Sequence, residues 1–269
     1  MSDFMSRPFA RVWGRPIGDL ELVVLDPVGS GLMHAPRALD DAQGAGVVEP
    51  PKEAATPARR RSGMRGEAGG GVEGPRRLVL RPAWGRDHAA IDDVRRANSA
   101  WLRPWEATLP PESREKLPDL AEYQRATDRD QRLGKALIML VEADGRVVGQ
   151  FALSNVQGGA MSQGMLGYWL AREWAGRGLG TLGAALVIDL VIGELGLHRV
   201  EVDVRPENGP SLGLCRRLGL HYEGRRPRFM HINGAWADHL CFSIDAESLP
   251  EGGLVRGRLL GDDLRAGDD

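Results

Sequence analysis

Cysteine is scarce: Cys215 and Cys241 are the only two in 269 residues. That excludes a disulfide framework and a cysteine-rich zinc site, and places both thiols in a reduced core. The six histidines (His34, His88, His198, His221, His231, His239) show no metal-ligand spacing, so no metal is expected. Charge of one sign is lacking too. Lys+Arg number 35 against Asp+Glu 37, a formal net charge of −2, which gives no global pull toward nucleic acid or an anionic membrane. No apolar run approaches the ~20 residues of a membrane span. The opening MSDFMSRPFARVWGRP has no apolar core with a small-residue cleavage site, so a cytoplasmic location is expected.

What is present is 42% hydrophobic residues, enough for one sizeable core or two modest ones. Composition changes near residue 76. Residues 27–75 are dense in Gly, Ala, Pro and charge and cannot bury enough apolar surface to offset chain entropy, which predicts a disordered or poorly ordered extension over 1–76. Within it Leu20–Leu25 could form one short strand or helical turn, with little to pack on. The Arg59–Arg61 run reads as a solvated tail, so direct nucleic-acid binding is not expected, and a translation start at Met64 is left open. Residues 77–246 have the length of one domain, and 247–269 end in an acidic tail, GDDLRAGDD.

Inside the domain, Leu78–Pro82 is strand-like. Asp87–Trp101 carries helical signals with Asp87 as its N-cap, and a second helix covers Leu117–Arg129. Ala136–Glu142 and Arg146–Leu153 flank Asp144-Gly145, a hairpin signal. Gly164–Leu170 reads as a strand, Gly180–Leu195 as a helix packed on more than one side, and His198–Val204 as an alternating strand. Pro210–Leu218 is a helix closed by Gly219. Leu220–Gly224, Arg228–Ile232 and His239–Asp245 complete the β content, with Asn233-Gly234 turning the last hairpin. The pattern describes an α/β fold, a mixed sheet covered on both faces.

The most informative stretch runs from Tyr168-Trp169-Leu170 to Arg177-Gly178-Leu179-Gly180-Thr181. A strand ends, glycines follow, and a helix begins. Helix starts carry unpaired N–H groups and partial positive charge, and glycine lets a phosphate come close: a pyrophosphate cradle. A tight strand-to-helix turn would use the same glycines. One strand later come Arg205-Pro206-Glu207-Asn208-Gly209-Pro210-Ser211 and Leu214-Cys215-Arg216-Arg217-Leu218-Gly219-Leu220.

Together these stretches resemble the GCN5-related N-acetyltransferase (GNAT) superfamily. Ala175 stands where that family usually has Gln or Arg, and Leu220 replaces the usual Phe. The stretches Asn98–Thr108 and Ile232–His239 are similar to the RimJ/RimL branch, which acetylates N-terminal residues of ribosomal proteins, and to its RimJ side in particular.

The resemblance implies the acyl-CoA N-acyltransferase fold: a mainly antiparallel central sheet with a splayed parallel strand pair and helices on both faces. It implies that acetyl-CoA is bound by Tyr168, Trp169 and Leu170 along the splayed strand, by Arg177, Gly178, Leu179, Gly180 and Thr181 at the pyrophosphate, and by Asn208 at the pantetheine arm. Asn208 would equally serve as a helix N-cap. Ser211 is implied as the acid that protonates the departing thiolate. Glu106 is implied as the first base candidate, ahead of Asp238 and His239. Trp101, Trp105 and Trp169 would wall the acceptor channel, and an N–H near Leu170 would hold the oxyanion. Arg216 and Arg217 could reach the adenosine phosphate, with a solvated basic face as the favoured reading.

The expected reaction is direct acetyl transfer to a primary amine in a ternary complex, with the N-terminus of a small-subunit ribosomal protein as acceptor. No acetyl-cysteine intermediate is expected on Cys215. The alternatives are a small-molecule amine acceptor, or a non-catalytic acyl-CoA-binding or ribosome-assembly role.

Overall fold

The computed structural model describes residues 11–28, 30, 32, 33 and 75–260. The Arg59–Arg61 run, Met64 and the terminal GDDLRAGDD lie outside the described residues. An eight-stranded sheet runs β3 (Leu22–Leu25), β4 (Arg77–Pro82), β5 (Leu137–Ala143), β6 (Arg146–Gln157), β7 (Gln163–Leu170), β8 (Arg199–Val204), β10 (Ala235–Asp245), β9 (His221–Ile232). Every neighbouring pair is antiparallel except β7 and β8. This is the mixed α/β architecture that the resemblance implies.

Two helical layers cover the sheet. On one face α4 (Leu179–Asp189) and α5 (Gly209–Leu218) pack onto Phe151, Leu166, Val200, Val202, Val204 and Leu240, all buried. On the other, α1 (Asp87–Ala97) buries Ile91 with Ala83, Ile138 and Leu140. Alternation along each strand sorts side chains between these faces, so β8 gives Val200, Val202 and Val204 to the first and Arg199, Glu201 and Asp203 to the second. A short helix α2 (Ser99–Leu102) follows α1, and α3 (Leu120–Arg132) starts with a reciprocal capping box between Asp119 and Glu122.

Both expected hairpins form. Asp144 and Gly145 have φ of 47° and 78°, and Asn233 and Gly234 have 48° and 83°, the left-handed pair that a tight turn between twisted strands needs. Three local differences from the sequence reading have physical causes. Asp87 is not an N-cap but the first helical residue; its carboxylate forks onto the Arg81 guanidinium (2.7 and 3.1 Å) and accepts the Trp84 N–H. Leu220–Gly224 and Arg228–Ile232 are parts of one strand, β9, that runs through Pro227. A sheet edge tolerates proline, and the register slips there between Ala237 and His239. The helix expected over Gly180–Leu195 stops being α-helical at Asp189 and ends in a π-helical turn, Leu190–Glu194.

The folded unit also begins earlier than residue 77. β1 (Arg11–Val12) and β2 (Arg15–Pro16) form a small hairpin, and β3 extends the sheet by pairing Leu22 with Leu80 through Leu25 with Arg77. Val12, Leu20 and Met33 are fully buried in the main core, and the Trp13 indole N–H donates to the Ala136 carbonyl at 2.9 Å. The short apolar run therefore does have something to pack on: the open edge of β4. At the other end Leu254 is buried, and the Asp189 carboxylate accepts its N–H (2.7 Å) and that of Val255 (3.1 Å). The described fold reaches residue 260.

Candidate active site

β7 and β8 pair only at Gln163–Arg199, Gly164–Val200 and Met165–Glu201. Beyond these three positions they diverge. Residues 166–170 keep their ladder to β6, while Val202 and Val204 keep theirs to β10. The backbone groups of β7 that point away from β6 are thus left facing a gap with no strand in it. Tyr168, Trp169 and Leu170 line the β7 side.

At the mouth of that gap α4 begins. Gly178 is its N-cap with φ of 87°, a left-handed conformation unfavourable for residues with a Cβ, and Gly176 precedes it at 75°. The first-turn N–H groups of a helix have no partner within it, and here they open beside the gap. A Cβ built on Gly180 would point toward Leu214, Leu170 and Tyr168 at 3.6–3.9 Å, so this glycine keeps the entrance clear. The Arg177 guanidinium sits over the Trp174 ring, 4.9 Å from its centre. Arg217 on α5 is not wholly a solvated face: its Nη1 lies 3.4 Å from the Thr181 hydroxyl and adds positive charge to the same corner. The arrangement fits an extended diphosphate ligand laid into the gap.

Asn208 caps α5, its side-chain oxygen accepting the Ser211 N–H at 3.2 Å. The alternative role foreseen for it is therefore filled, and only its amide NH2 is left for a ligand. Ser211 stands in the first turn of α5 with its hydroxyl toward Tyr168. The Tyr168 hydroxyl is buried, with the Ser211 hydroxyl as the polar group beside it. Burial pushes this phenol well above the usual tyrosine range, with the nearby Ser211 hydroxyl opposing the shift. A buried polar atom left poorly satisfied costs about 1–3 kcal/mol, and this one lies against the first turns of α5, beside Ser211 and Cys215. Sequence reading had assigned Tyr168 only through its backbone. Cys215, one turn on, is fully buried and its thiol is pushed up to about 12, chiefly by burial. It is a protonated core residue rather than a nucleophile.

On the opposite face the chain from Trp101 to Thr108 forms an arch across the splay. The Trp101 indole N–H donates to the Leu170 carbonyl at 3.2 Å, tying the arch to β7. Arg205, just past β8, donates to the Pro104 carbonyl at 2.9 Å and lies over the Trp105 ring. Glu106 accepts through its carbonyl from Asn233, and Thr108 bonds to His231 through both backbone and side chain. These contacts dock the arch on the β9–β10 hairpin. Trp169 packs against the α1 cluster, below the arch.

The three base candidates fare differently. The Glu106 carboxylate is held by the Arg95 guanidinium at 2.9 Å. Asp238 is bonded by the Arg228 N–H and the Arg225 guanidinium, which hold its carboxyl below the usual range, and it points to solvent. His239 is buried on the inner face of β10, with its Nδ1 3.2 Å from the Ala237 carbonyl. Sequence reading missed Arg95, Arg205 and Thr108 because each acts through a partner far away in the chain. No cluster of His, Cys, Asp or Glu able to hold a metal occurs among the described residues. No helix among them is long and apolar enough to cross a membrane.

Comparisons with known proteins agree with this geometry. Residues 77–221 match the model of the acetyltransferase (GNAT) domain family. A probable N-acetyltransferase of Bacillus subtilis, YjcK, is 32% identical over 125 residues, covering 46% of this chain and 68% of its own length. The ribosomal protein uS5-alanine N-acetyltransferase of Escherichia coli is 28% identical over 176 residues, covering 62% and 87%. Among solved structures, Mycobacterium smegmatis RimJ in complex with CoA-disulfide superposes with a TM-score of 0.58 at 35% identity, over 64% of this chain and 84% of that one.

Proposed function

The chain belongs to the GNAT acetyltransferase family and is an acetyl-CoA-dependent acetyltransferase, and from that premise we propose that it acetylates the N-terminal α-amine of a protein, namely a small-subunit ribosomal protein. The observation that carries this reading is the splay of β7 from β8 beneath an arch rich in tryptophan. The donor enters from the α4 face and the acceptor from the arch face, so the two meet in one ternary complex. The kinship with an enzyme named for alanine acetylation of ribosomal protein uS5 supports the choice of acceptor.

The acetyl donor brings an activated thioester carbonyl. The first turn of α4, Arg177 to Thr181 with Arg217 behind it, holds the diphosphate by N–H groups and charge. β7 offers the backbone groups of Tyr168 to Leu170 that face the gap, apart from the Leu170 carbonyl held by Trp101, to the pantetheine amides, in the manner of an added strand, and an N–H near Leu170 polarises the thioester carbonyl as negative charge develops on its oxygen. Asn208 keeps its amide hydrogens for the pantetheine arm. Ser211 delivers a proton to the departing sulfur, and the Tyr168 hydroxyl, held protonated by burial, donates a hydrogen bond beside it. On the arch, Trp101, Trp105 and Trp169 wall the acceptor channel. Glu106, fixed by Arg95, orients the incoming ammonium.

The test is comparison of intact ribosomal-protein masses from cells with and without the gene, alongside assays of the purified chain on peptides and polyamines. One small-subunit protein lacking a single acetyl mass in the deletion strain is the expected result. No altered N-terminus, with spermidine acetylated by the purified chain, would replace the protein acceptor by a small amine.

A further inference from the structure

An amine attacks a thioester only through its lone pair, and an α-ammonium titrates at about 7.7–8.0, so at neutral pH the acceptor must lose a proton inside the site. Resting on the acetyl-transfer reading above, we propose that Nε2 of His239 takes that proton, with the buried Asp203 carboxylate as its counter-charge.

His239 lies on β10 one residue before Leu240, which pairs with Val204 at the end of β8. It is therefore level with Arg205, where the arch crosses the splay. Leu240 faces the α4–α5 core, so its neighbour His239 faces the arch side. The ring is 3% exposed and meets Phe229 edge-on.

A backbone carbonyl can only accept, so the 3.2 Å contact with the Ala237 oxygen fixes the hydrogen of the neutral ring on Nδ1. The lone pair then sits on Nε2, where a base needs it.

Of the five described histidines, His88 is bonded to Asp128, His198 to Glu247 and His231 to Thr108, and His221 is exposed at the outer end of β9. Glu106 and Asp238 are engaged by arginines. Asp203 stands apart: its side chain is 1% exposed, and what faces it is the Arg226 guanidinium, at 3.5 Å, and the weakly donating Cys241 thiol. A buried carboxylate so poorly satisfied is expensive unless a positive charge develops nearby, and an imidazolium on β10 is such a charge.

The groups facing the ring set the sign of its titration. Burial lowers its pKa below the ordinary 6.5, opposed by the Ala237 carbonyl and the Asp203 and Glu207 carboxylates, and assisted by Arg205. Arg226 on β9 is its cross-strand partner. The ring is thus neutral at pH 7 and becomes charged as pH falls. Nε2 accepts one proton from the ammonium, the freed nitrogen forms a bond to the thioester carbon, and the carbon–sulfur bond breaks. The second nitrogen proton passes to the sulfur through the Ser211 hydroxyl, and His239 returns its proton to water.

The experiment measures kcat against pH for the full chain on Ala- and Ser-initiated peptides and spermidine, using kcat because the free amine itself titrates. Wild type should lose kcat as pH falls through a midpoint below 6.5. H239Q should lose that limb and about 10²–10⁴-fold in kcat, with acetyl-CoA affinity by calorimetry held within about twofold of wild type. D203N should move the limb to lower pH, because removing the carboxylate disfavours the imidazolium; a purely structural Asp203 would leave the limb in place. An H239Q enzyme with unchanged kcat and an unchanged limb overturns the proposal. Should wild type acetylate none of the amines, the acceptor reading fails by itself, and nitrogen-15 spectra of the histidine rings still decide the matter. A neutral Nδ1–H ring for His239 at pH 7 sustains the proposal; an Nε2–H or charged ring overturns it.

Discussion

At the scale of single residues, glycines and hydroxyls matter more in this site than charges do. Gly180 has room for a Cβ at 3.6 Å from its nearest neighbour, so the fold tolerates a small side chain there, but anything longer enters the gap between Leu170 and Leu214. Gly180→Glu should therefore fold and lose acetyl-CoA binding by at least about 100-fold, because roughly 2.7 kcal/mol is forfeited when bulk and negative charge meet a diphosphate. Calorimetry on the folded variant checks this, and wild-type affinity would remove the cradle from the site. The glycines were legible in sequence because a strand-to-helix turn advertises them. The role of the Tyr168 hydroxyl was not, since it arises from burial under α5, some forty residues along the chain.

At the scale of elements, the cradle is aimed by how α4 lies on the sheet. Gly183, one turn into the helix, meets Phe151 of β6 so closely that an added Cβ would fall 2.3–2.4 Å from the ring. Gly183→Ala should lower stability by about 1–3 kcal/mol through overpacking. Pairing it with Phe151→Leu should restore part of that loss, a coupling readable from denaturant midpoints of the four proteins. Strict additivity would mean that the contact does not set the helix's seat. Sequence periodicity found α4, β8 and both hairpins because each obeys a local rule. It divided β9 at Pro227 and misplaced the cap of α1, where an edge strand and the Arg81 ion pair override local preference. The arch was legible only as a string of tryptophans: its hold on Leu170, Arg205 and the β9–β10 hairpin is made of contacts 69 to 126 residues apart.

At the scale of the whole molecule, the family match begins at residue 77, yet the sheet does not. β3 covers the edge of β4, and Val12, Leu20 and Met33 fill core volume at 0–2% exposure. Composition hid this, because a stretch poor in structure-forming residues separates the short apolar run from its partner strand. A chain beginning at Met64 should retain the site but melt well below the full-length protein, as each such side chain contributes about 1.5–3 kcal/mol when buried. Thermal unfolding of both chains decides it, and equal midpoints would make the first 33 residues ornamental.

The parallel ladder between β7 and β8 has just three rungs. It divides the sheet into two slabs that share little main-chain bonding, with the donor-side backbone on one and the proposed proton acceptor on the other. Whatever settles between the slabs touches both and acts as mortar as well as reagent. Loading the donor would then fix how far apart the slabs stand, and with that the path the amine must travel.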